Sequence, residues 1–122
     1  MKAMIQRTMF VLAVPSLDTS MRFYRDVLGF EIREIGDPGW RMYVRDETRI
    51  MAGECPDATP PADLGDHSYF GYFVVVDAQT YFDEVKSRGA EIIKSIRDEP
   101  WGMREFSLRT VDGHRIMVGQ EL

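Results

Sequence analysis

The strongest constraint on the fold is an order of elements, a strand, a helix and then three strands, that the sequence contains twice. In the first half, the apolar residues 9–14 are rich in strand formers and stop before Pro15, which predicts a strand. A helix ending at Gly29 is predicted next, with four apolar residues on one stripe: Leu17, Met21, Tyr24 and Leu28. Three shorter strands, separated by turn-like residues, are predicted at 30–35, 40–45 and 49–53. The first half therefore predicts a βαβββ module.

The second half repeats this order after residues 54–66, a stretch with three of the six prolines that predicts a connecting loop. Residues 69–76 predict a strand, and Asp77 and Gly89 are placed to begin and end a helix. Three further strands are predicted at 91–95, 103–109 and 114–119. Three residues recur sixty positions apart, namely Gly29, Glu31 and Ile32 as Gly89, Glu91 and Ile92. The repeated order and these identities favour an internal duplication.

Length and composition limit the chain to one domain. A chain of 122 residues can bury one core but is too short for two ordinary domains. Its 44% hydrophobic and 29% charged residues are typical of globular proteins. We therefore predict an α+β fold in a single domain, residues 1–122, with module one at about 8–53, a linker loop at 54–66 and module two at about 67–122.

Charge and cysteine content exclude several classes of protein. Fifteen basic and twenty acidic residues give a formal charge of -5, the wrong sign for neutralising the phosphates of nucleic acid. Cys55 is the only cysteine, so no intrachain disulfide can form. No segment approaches the ~18 consecutive apolar residues of a membrane span, and residues 1–8 do not resemble a secretory signal. We expect a cytoplasmic protein without nucleic-acid or membrane partners.

Two segments resemble motifs of the vicinal oxygen chelate superfamily, which includes glyoxalase I, bleomycin resistance proteins and extradiol dioxygenases. Residues 14–30 are similar to its first-module signature, with Phe23-Tyr24 and Leu28-Gly29-Phe30 in place. Residues 106–113 resemble its closing hairpin, usually written Phe-x-x-x-Asp-Pro-x-Gly, although Thr and Val replace Asp-Pro. The resemblance implies two βαβββ modules whose mixed sheets form a cup-shaped cleft for a small molecule.

A shorter segment is similar to bleomycin resistance proteins in particular. Residues 100–106, Pro-Trp-Gly-Met-Arg-Glu-Phe, contain the Pro-Trp-Gly and Arg-Glu-Phe of those proteins with one extra residue. The likeness implies a protein that sequesters a small molecule, as a homodimer whose sites form between chains. Strand edges without partners and a half-open cup favour the same association.

The resemblance also locates the metal-ligand positions of the superfamily, and this chain lacks suitable residues there. Members that bind a metal carry His or Glu at four positions, which correspond here to Met9, Met51, Phe70 and Met117. A thioether is a soft, weak donor, and a phenyl ring is no ligand for a hard or borderline divalent metal. Glu54, His67 and His114 each lie three residues away, which puts them on the opposite strand face unless a bulge intervenes. We predict a protein without a metal or other cofactor.

The sequence predicts a ligand site of methionines and aromatic rings. Methionines at the positions that correspond to metal ligands in the superfamily can form an adaptable apolar floor of the cleft. They can equally fill the cup as core residues. Trp40 and Trp101 stand beside glycines, where a ring can stack on a ligand or cation, or cap a sheet edge. Tyr43, Tyr72 and Arg104 lie on predicted strands, and the sequence does not show which face of each strand points into the cleft. The predicted ligand-binding residues are Met9, Trp40, Met51, Phe70, Tyr72, Trp101, Arg104 and Met117.

The leading functional hypothesis is a metal-independent protein that binds an aromatic ligand able to carry a positive charge, since the chain is acidic. One alternative is a glyoxalase-like lyase, isomerase or dioxygenase-family enzyme that acts on a small carbonyl or aromatic compound. Another is an interaction subunit whose own side chains fill the cleft. The sequence contains no serine with a recognisable base and acid, and no glycine-rich phosphate loop, so hydrolysis and phosphoryl transfer are not expected.

Overall fold

A computed structural model describes residues 3–122 and contains two four-stranded sheets, each with one helix. Module one consists of β1 (Phe10–Val14), α1 (Leu17–Asp26), β2 (Glu31–Glu34), β3 (Trp40–Arg45) and β4 (Thr48–Glu54). Its strands lie in the order β1-β4-β3-β2, and β1 is parallel to β4 whereas the other neighbours are antiparallel.

Module two has the same architecture and follows a connection that contains one short 3₁₀ turn, Pro61–Leu64. It consists of β5 (Tyr69–Val74), α2 (Ala78–Ser87), β6 (Glu91–Glu99), β7 (Met103–Arg109) and β8 (Arg115–Glu121). The strand order is β5-β8-β7-β6, again with the first strand parallel to the last. The predicted α+β fold of two βαβββ modules is confirmed. Within residues 3–122, neither helix has the length and apolarity that a membrane crossing needs.

Both helices are tied at their first residue to the last strand of their own module. The backbone N–H of Leu17 donates to Oε1 of Glu54 at 2.9 Å, and the N–H of Ala78 donates to Oε1 of Gln120 at 3.0 Å. The N–H groups of a first helical turn have no partner inside the helix and need such acceptors. The two modules therefore resemble each other in individual hydrogen bonds as well as in the order of their elements.

The two modules share one core, which forms between their helix-bearing faces. The hydroxyl of Tyr81 on α2 donates to the carbonyl of Leu28 at 2.9 Å, and the rings of Phe30 and Phe73 lie 6.2 Å apart. Both modules contribute buried residues to this core, among them Leu12, Val14, Ile50, Phe106, Ile116 and Val118. Because side chains alternate along a strand, the other face of each sheet points away from the core. We call these surfaces the open face of module one and the open face of module two.

A buried polar chain joins the two modules inside the core. The hydroxyl of Tyr43 on β3 donates to Oγ of Ser20 on α1, and Ser20 donates to Oδ2 of Asp112, both at 2.8 Å. Asp112 lies in the turn between β7 and β8, so the chain crosses from module one to module two. Tyr43 is fully buried. The possibility that it lines a cleft is wrong, because β3 directs it toward α1.

Two strands of module two depart from regular alternation. The register of β5 shifts between Tyr69 and Gly71, which makes Phe70 the extra residue of a bulge. The register of β6 shifts on both sides of Lys94, and β6 continues to Glu99 instead of ending at residue 95 as predicted. A bulge changes the face to which the following side chains point. These shifts decide which residues reach the open face of module two.

Candidate functional site

The open face of module one is an apolar surface across three neighbouring strands. Val11, Met51 and Met42 stand side by side, in register, on β1, β4 and β3. Beside them the ring of Trp40 lies against Gly53, where a Cβ atom would come within 2.7 Å of the ring. Only glycine lets the ring approach the sheet so closely. The structure therefore places the predicted residues Trp40 and Met51 on one face.

The open face of module two has the same layout with more polar groups. Tyr72, Met117 and Ser107 are in register on β5, β8 and β7. The ring of Tyr72 covers Gly119, where a Cβ atom would come within 2.8 Å of the ring carbon Cζ. The hydroxyl of Tyr69 donates to Oγ of Ser107 at 3.2 Å. Hydroxyl groups thus surround the central methionine of this face.

The common layout comes from a repeated six-residue segment. Residues 49–54 read Arg-Ile-Met-Ala-Gly-Glu, and residues 115–120 read Arg-Ile-Met-Val-Gly-Gln. In each copy the isoleucine is buried in the core, the methionine occupies the open face and the glycine lies beneath an aromatic ring. This repeat is a sequence signal from which the correspondence of the two open faces could have been predicted. Its two copies are not sixty residues apart, unlike the pairs Gly29 and Gly89, Glu31 and Glu91, and Ile32 and Ile92.

A buried carboxylate organises the polar groups of the open face of module two. Glu105 on β7 is 3% exposed. The hydroxyl of Tyr72 donates to its Oε2 at 2.6 Å, and Nζ of Lys94 donates to its Oε1 at 2.8 Å. Lys94 also pairs with Glu99, at 3.2 Å, and Arg97 pairs with the same Glu99. Two carboxylates and two cations therefore form one continuous network.

The network keeps Glu105 ionised and Tyr72 protonated. Burial alone raises the pKa of Glu105, but hydrogen bonds from Lys94 and Tyr72 bring this pKa below its ordinary value. The pKa of Tyr72 is raised, first by burial and then by its hydrogen bond to Glu105. Both carboxylate oxygens already accept a hydrogen bond from the protein. The pair can position a ligand as it stands, whereas proton transfer requires one partner to move.

Trp101 extends over the same face from the turn between β6 and β7, and it is 61% exposed. The ammonium group of Lys94 lies 5.4 Å from the centre of its ring, within the range of a cation–π contact. The sequence predicts that this ring can receive a cationic ligand. In the structure, a cation of the protein itself is already in contact with it.

Phe70 and Arg104 do not join the other predicted site residues. The bulge in β5 turns the ring of Phe70 toward the core side, where it lies 5.3 Å from Phe10 and 6.4 Å from Phe73. Arg104 precedes Glu105 on β7, so alternation sends it to the opposite face, where it pairs with the exposed Asp98 at 2.6 Å. For these two residues the prediction of a place in the cleft is wrong.

The residues at the family's metal-ligand positions do not fit a divalent metal. Met51 and Met117 offer thioethers, and Phe70 offers no donor. His114 packs against Phe70, with ring centres 5.7 Å apart, and burial lowers its pKa. Among residues 3–122, no three His, Cys, Asp or Glu side chains are grouped so that they could hold a metal ion.

The remaining predicted residues fall on two surfaces of one chain. Module one carries Trp40 and Met51, with Met9 directly before β1, and module two carries Tyr72, Trp101 and Met117. Since the modules meet through their helix-bearing faces, these two sets do not enclose a common cleft within residues 3–122 of a single chain. A cleft lined by both sets requires a second copy.

A groove that the sequence did not indicate lies where α2 meets the hairpin of β3 and β4. Its cavity volume is about 500 Å³, and Phe30, Phe73 and Tyr81 line it. At its rim, Arg45 pairs with Glu84 at 3.4 Å. None of the predicted ligand-binding residues lines this groove. The groove therefore lies at the junction between the modules, and Val74 of β5 also belongs to its lining.

The sequence also missed the residues that give the open face of module two its polarity. Tyr69, Lys94 and Glu99 carry no spacing signal, because the shifts in β5 and β6 place them. Glu105 and Ser107 lie on β7, which alternates regularly, but the sequence does not show which face of that strand is open. Glu105 alone could have been singled out, since it belongs to the Arg-Glu-Phe part of the bleomycin resistance likeness.

Paired βαβββ modules with open sheet faces define the structural class, and a family comparison gives the same result. Residues 5–118 match the Glyoxalase/Bleomycin resistance protein/Dioxygenase superfamily, and the chain belongs to this superfamily. The match confirms the resemblance seen in the sequence motifs. This superfamily includes both binding proteins and enzymes, so the match does not show which of the two this chain is.

Solved structures of similar fold agree with this assignment. The chain is similar to a glyoxalase-related enzyme from Clostridium phytofermentans, with a TM-score of 0.79 and 16% identity over 98% of each chain. It is similar to UcmS2, with a TM-score of 0.76 and 19% identity over 98% of each chain. TioX from Micromonospora sp. ML1 has a TM-score of 0.72 and 20% identity, over 96% of this chain and 97% of that one. At these identities the likeness shows the fold alone. A search of curated proteins finds no match.

Proposed function

We propose that this protein binds and sequesters a small aromatic molecule, without a metal, in a cleft formed between two copies of the chain. The observation that carries the proposal is the matched pair of open faces. Each has a methionine at its centre and an aromatic ring held against a glycine, Trp40 on Gly53 and Tyr72 on Gly119. Rings and thioethers provide a polarizable surface that suits a planar ligand.

Association of two copies is supported by what the open faces leave exposed. Val11 on β1 and Val74 on β5 are each 62% exposed. Within residues 3–122, β1 pairs only with β4 and β5 pairs only with β8, so each of these strands has one free edge. A two-fold dimer that sets module one of each chain against module two of the other covers both surfaces and forms two equal clefts.

Binding is favoured over catalysis by the state of the polar groups. Glu105 has hydrogen-bond donors on both oxygens, and Tyr72 is held as a donor to it. Polar groups arranged in this way can fix the orientation of a bound ligand and select ligands by their shape. The likeness of residues 100–106 to bleomycin resistance proteins supports the same function, because those proteins act by binding.

A titration with 1-methylnaphthalene, followed by tryptophan fluorescence, tests the proposal. We expect saturable quenching with one site per chain. Trp40→Ala should weaken binding by about 1 kcal/mol, roughly fivefold, because it removes a stacking ring. Leu64→Ala, at an exposed residue of the 3₁₀ turn, is the matched control and should bind as the unchanged protein does. Absence of saturable binding to the unchanged protein would refute the proposal.

One observation favours a second function, an enzyme that acts on a small carbonyl or aromatic compound. Tyr72 and Glu105 form a short pair, 2.6 Å, on an accessible face, and such a pair can donate and accept a proton once a substrate displaces Lys94. Chromatography of small carbonyl and aromatic compounds after incubation with the protein tests this alternative. Turnover that is lost in Tyr72→Phe, at unchanged ligand affinity, would establish the enzyme and displace the binding function.

A further inference from the structure

We infer that Lys94 sets the charge preference of the cleft: its ammonium group occupies the place that a cationic aromatic ligand would take, so the cleft selects uncharged aromatic ligands. The inference rests on the proposed function, since it specifies the ligand class of the same site.

The surroundings of Lys94 have the composition of a cation site. Its Nζ lies 2.8 Å from Oε1 of Glu105, 3.2 Å from Oε1 of Glu99 and 5.4 Å from the ring centre of Trp101. Aromatic rings and carboxylates in this arrangement attract ammonium groups, most strongly where water is displaced. Glu99 and Glu105 are 6% and 3% exposed. The two carboxylates are therefore shielded from water, and the protein already provides a cation for them.

The backbone of β6 places Lys94 there. Ile92 faces the core opposite Leu108, and the next residue in register is Lys94, opposite Ser107 on the open face. Regular alternation would have sent Lys94 to the same face as Ile92, because the two residues are two positions apart. The bulge between them brings the ammonium group to the carboxylates.

The charge of the network determines what the cleft can accept. Lys94 and Arg97 balance Glu99 and Glu105, so the network as a whole is neutral. A cationic ligand would meet Lys94 at the ring of Trp101 and be repelled at close range. An anionic ligand finds no net attraction from a neutral network in a protein of charge -5. An uncharged ring can stack on the exposed part of Trp101 without either penalty.

Replacement of Lys94 by methionine should therefore reverse the preference. Lys94→Met keeps an unbranched side chain and leaves two buried carboxylates with Arg97 alone, a net charge of -1. Two probes of the same shape measure the effect, neutral 1-methylnaphthalene and cationic N-methylquinolinium. We expect the unchanged protein to bind the neutral probe at least tenfold more tightly. In Lys94→Met the ratio of affinities should move toward the cation by tenfold or more.

Two control variants separate charge preference from general effects. Lys94→Arg keeps the positive charge and should retain the preference for the neutral probe. Lys86→Met removes another lysine that lies over an aromatic ring, Phe82 at 5.3 Å, but on α2 and outside the network, so the ratio should not change. Circular dichroism establishes that each variant is folded. If Lys94→Met does not fold, the unchanged protein and Lys94→Arg decide: both must prefer the neutral probe.

The outcomes distinguish this inference from the proposed function. If both probes bind and the ratio is the same in the unchanged protein and in Lys94→Met, or if the unchanged protein prefers the cation, the inference is overturned and the binding function stands. If neither probe binds saturably to the unchanged protein or to any variant, the proposed function fails, and the inference fails with it.

Discussion

Replacement of Asp112 by asparagine should remove the contribution of Asp112 to the pH dependence of this protein's stability between pH 4 and pH 8. Asp112 is 8% exposed, and it accepts the hydrogen bond from Ser20 that joins the two modules. Burial raises its pKa from 3.8 to about 6, despite the opposing effect of the Ser20 hydrogen bond. Asparagine retains an oxygen acceptor for Ser20 and carries no charge to desolvate.

The magnitude follows from the difference between the two pKa values. The folded protein holds the proton of Asp112 more tightly than the unfolded chain, so the stabilisation is complete below about pH 4 and is lost as the pH rises through about 6. A difference of about two pKa units corresponds to about 3 kcal/mol at pH 8. Asp112→Asn should therefore match the unchanged protein at pH 4 and exceed its free energy of unfolding by up to about 3 kcal/mol at pH 8.

Urea denaturation at pH 4, 6 and 8, followed by circular dichroism, measures this difference. Both proteins must be compared at one concentration, because the stability of an associating protein depends on it. Ser16→Ala, which removes an exposed helix cap outside the core, should lower stability by about 1 kcal/mol at every pH. If the difference between Asp112→Asn and the unchanged protein is constant from pH 4 to pH 8, Asp112 is not the cause of the pH dependence.

Three further predictions concern the open faces. Gly53→Ala should displace the ring of Trp40 and weaken binding of 1-methylnaphthalene at least fivefold, with a shift in tryptophan emission; unchanged emission would contradict the close packing. Tyr72→Phe should lower the free energy of unfolding by about 1–3 kcal/mol in urea, since it removes a donor from buried Glu105; a change below about 0.5 kcal/mol would argue against the hydrogen bond. Sedimentation should give twice 14.1 kDa for the unchanged protein and 14.1 kDa for Val11→Asp, and a monomer in both cases would remove the two-copy cleft.

The sequence predicted the local features of this fold well. The helical stripe of Leu17 and Tyr24, and the glycine at position 29 that ends it, are signals contained within a few residues, and α1 lies where they indicate. The same holds for Asp77, which caps α2 by accepting from the N–H of Thr80 at 3.1 Å. The positions of helices and strands depend on hydrophobic periodicity and on capping residues, and both can be recognised in a single sequence.

The site was less predictable because it depends on strand register and on the packing of modules. One extra residue in β5 moves Phe70 to the core side, and a bulge in β6 brings Lys94 to the open face. Neither event leaves a mark in hydrophobic alternation. The burial of Glu105 likewise depends on contacts from two other strands. Long-range partners of this kind are set by the folded chain as a whole.

The hydrogen bonds that tie each helix to its own last strand bear on how such a chain can evolve. Glu54 closes module one and Gln120 closes module two, and within residues 3–122 no strand ladder crosses the exposed connection between them. The connection can therefore be severed, or the order of the modules exchanged, without breaking a ladder. Its contribution is that of a tether, which holds two half-sized proteins at a local concentration of about millimolar and so lets them assemble as one.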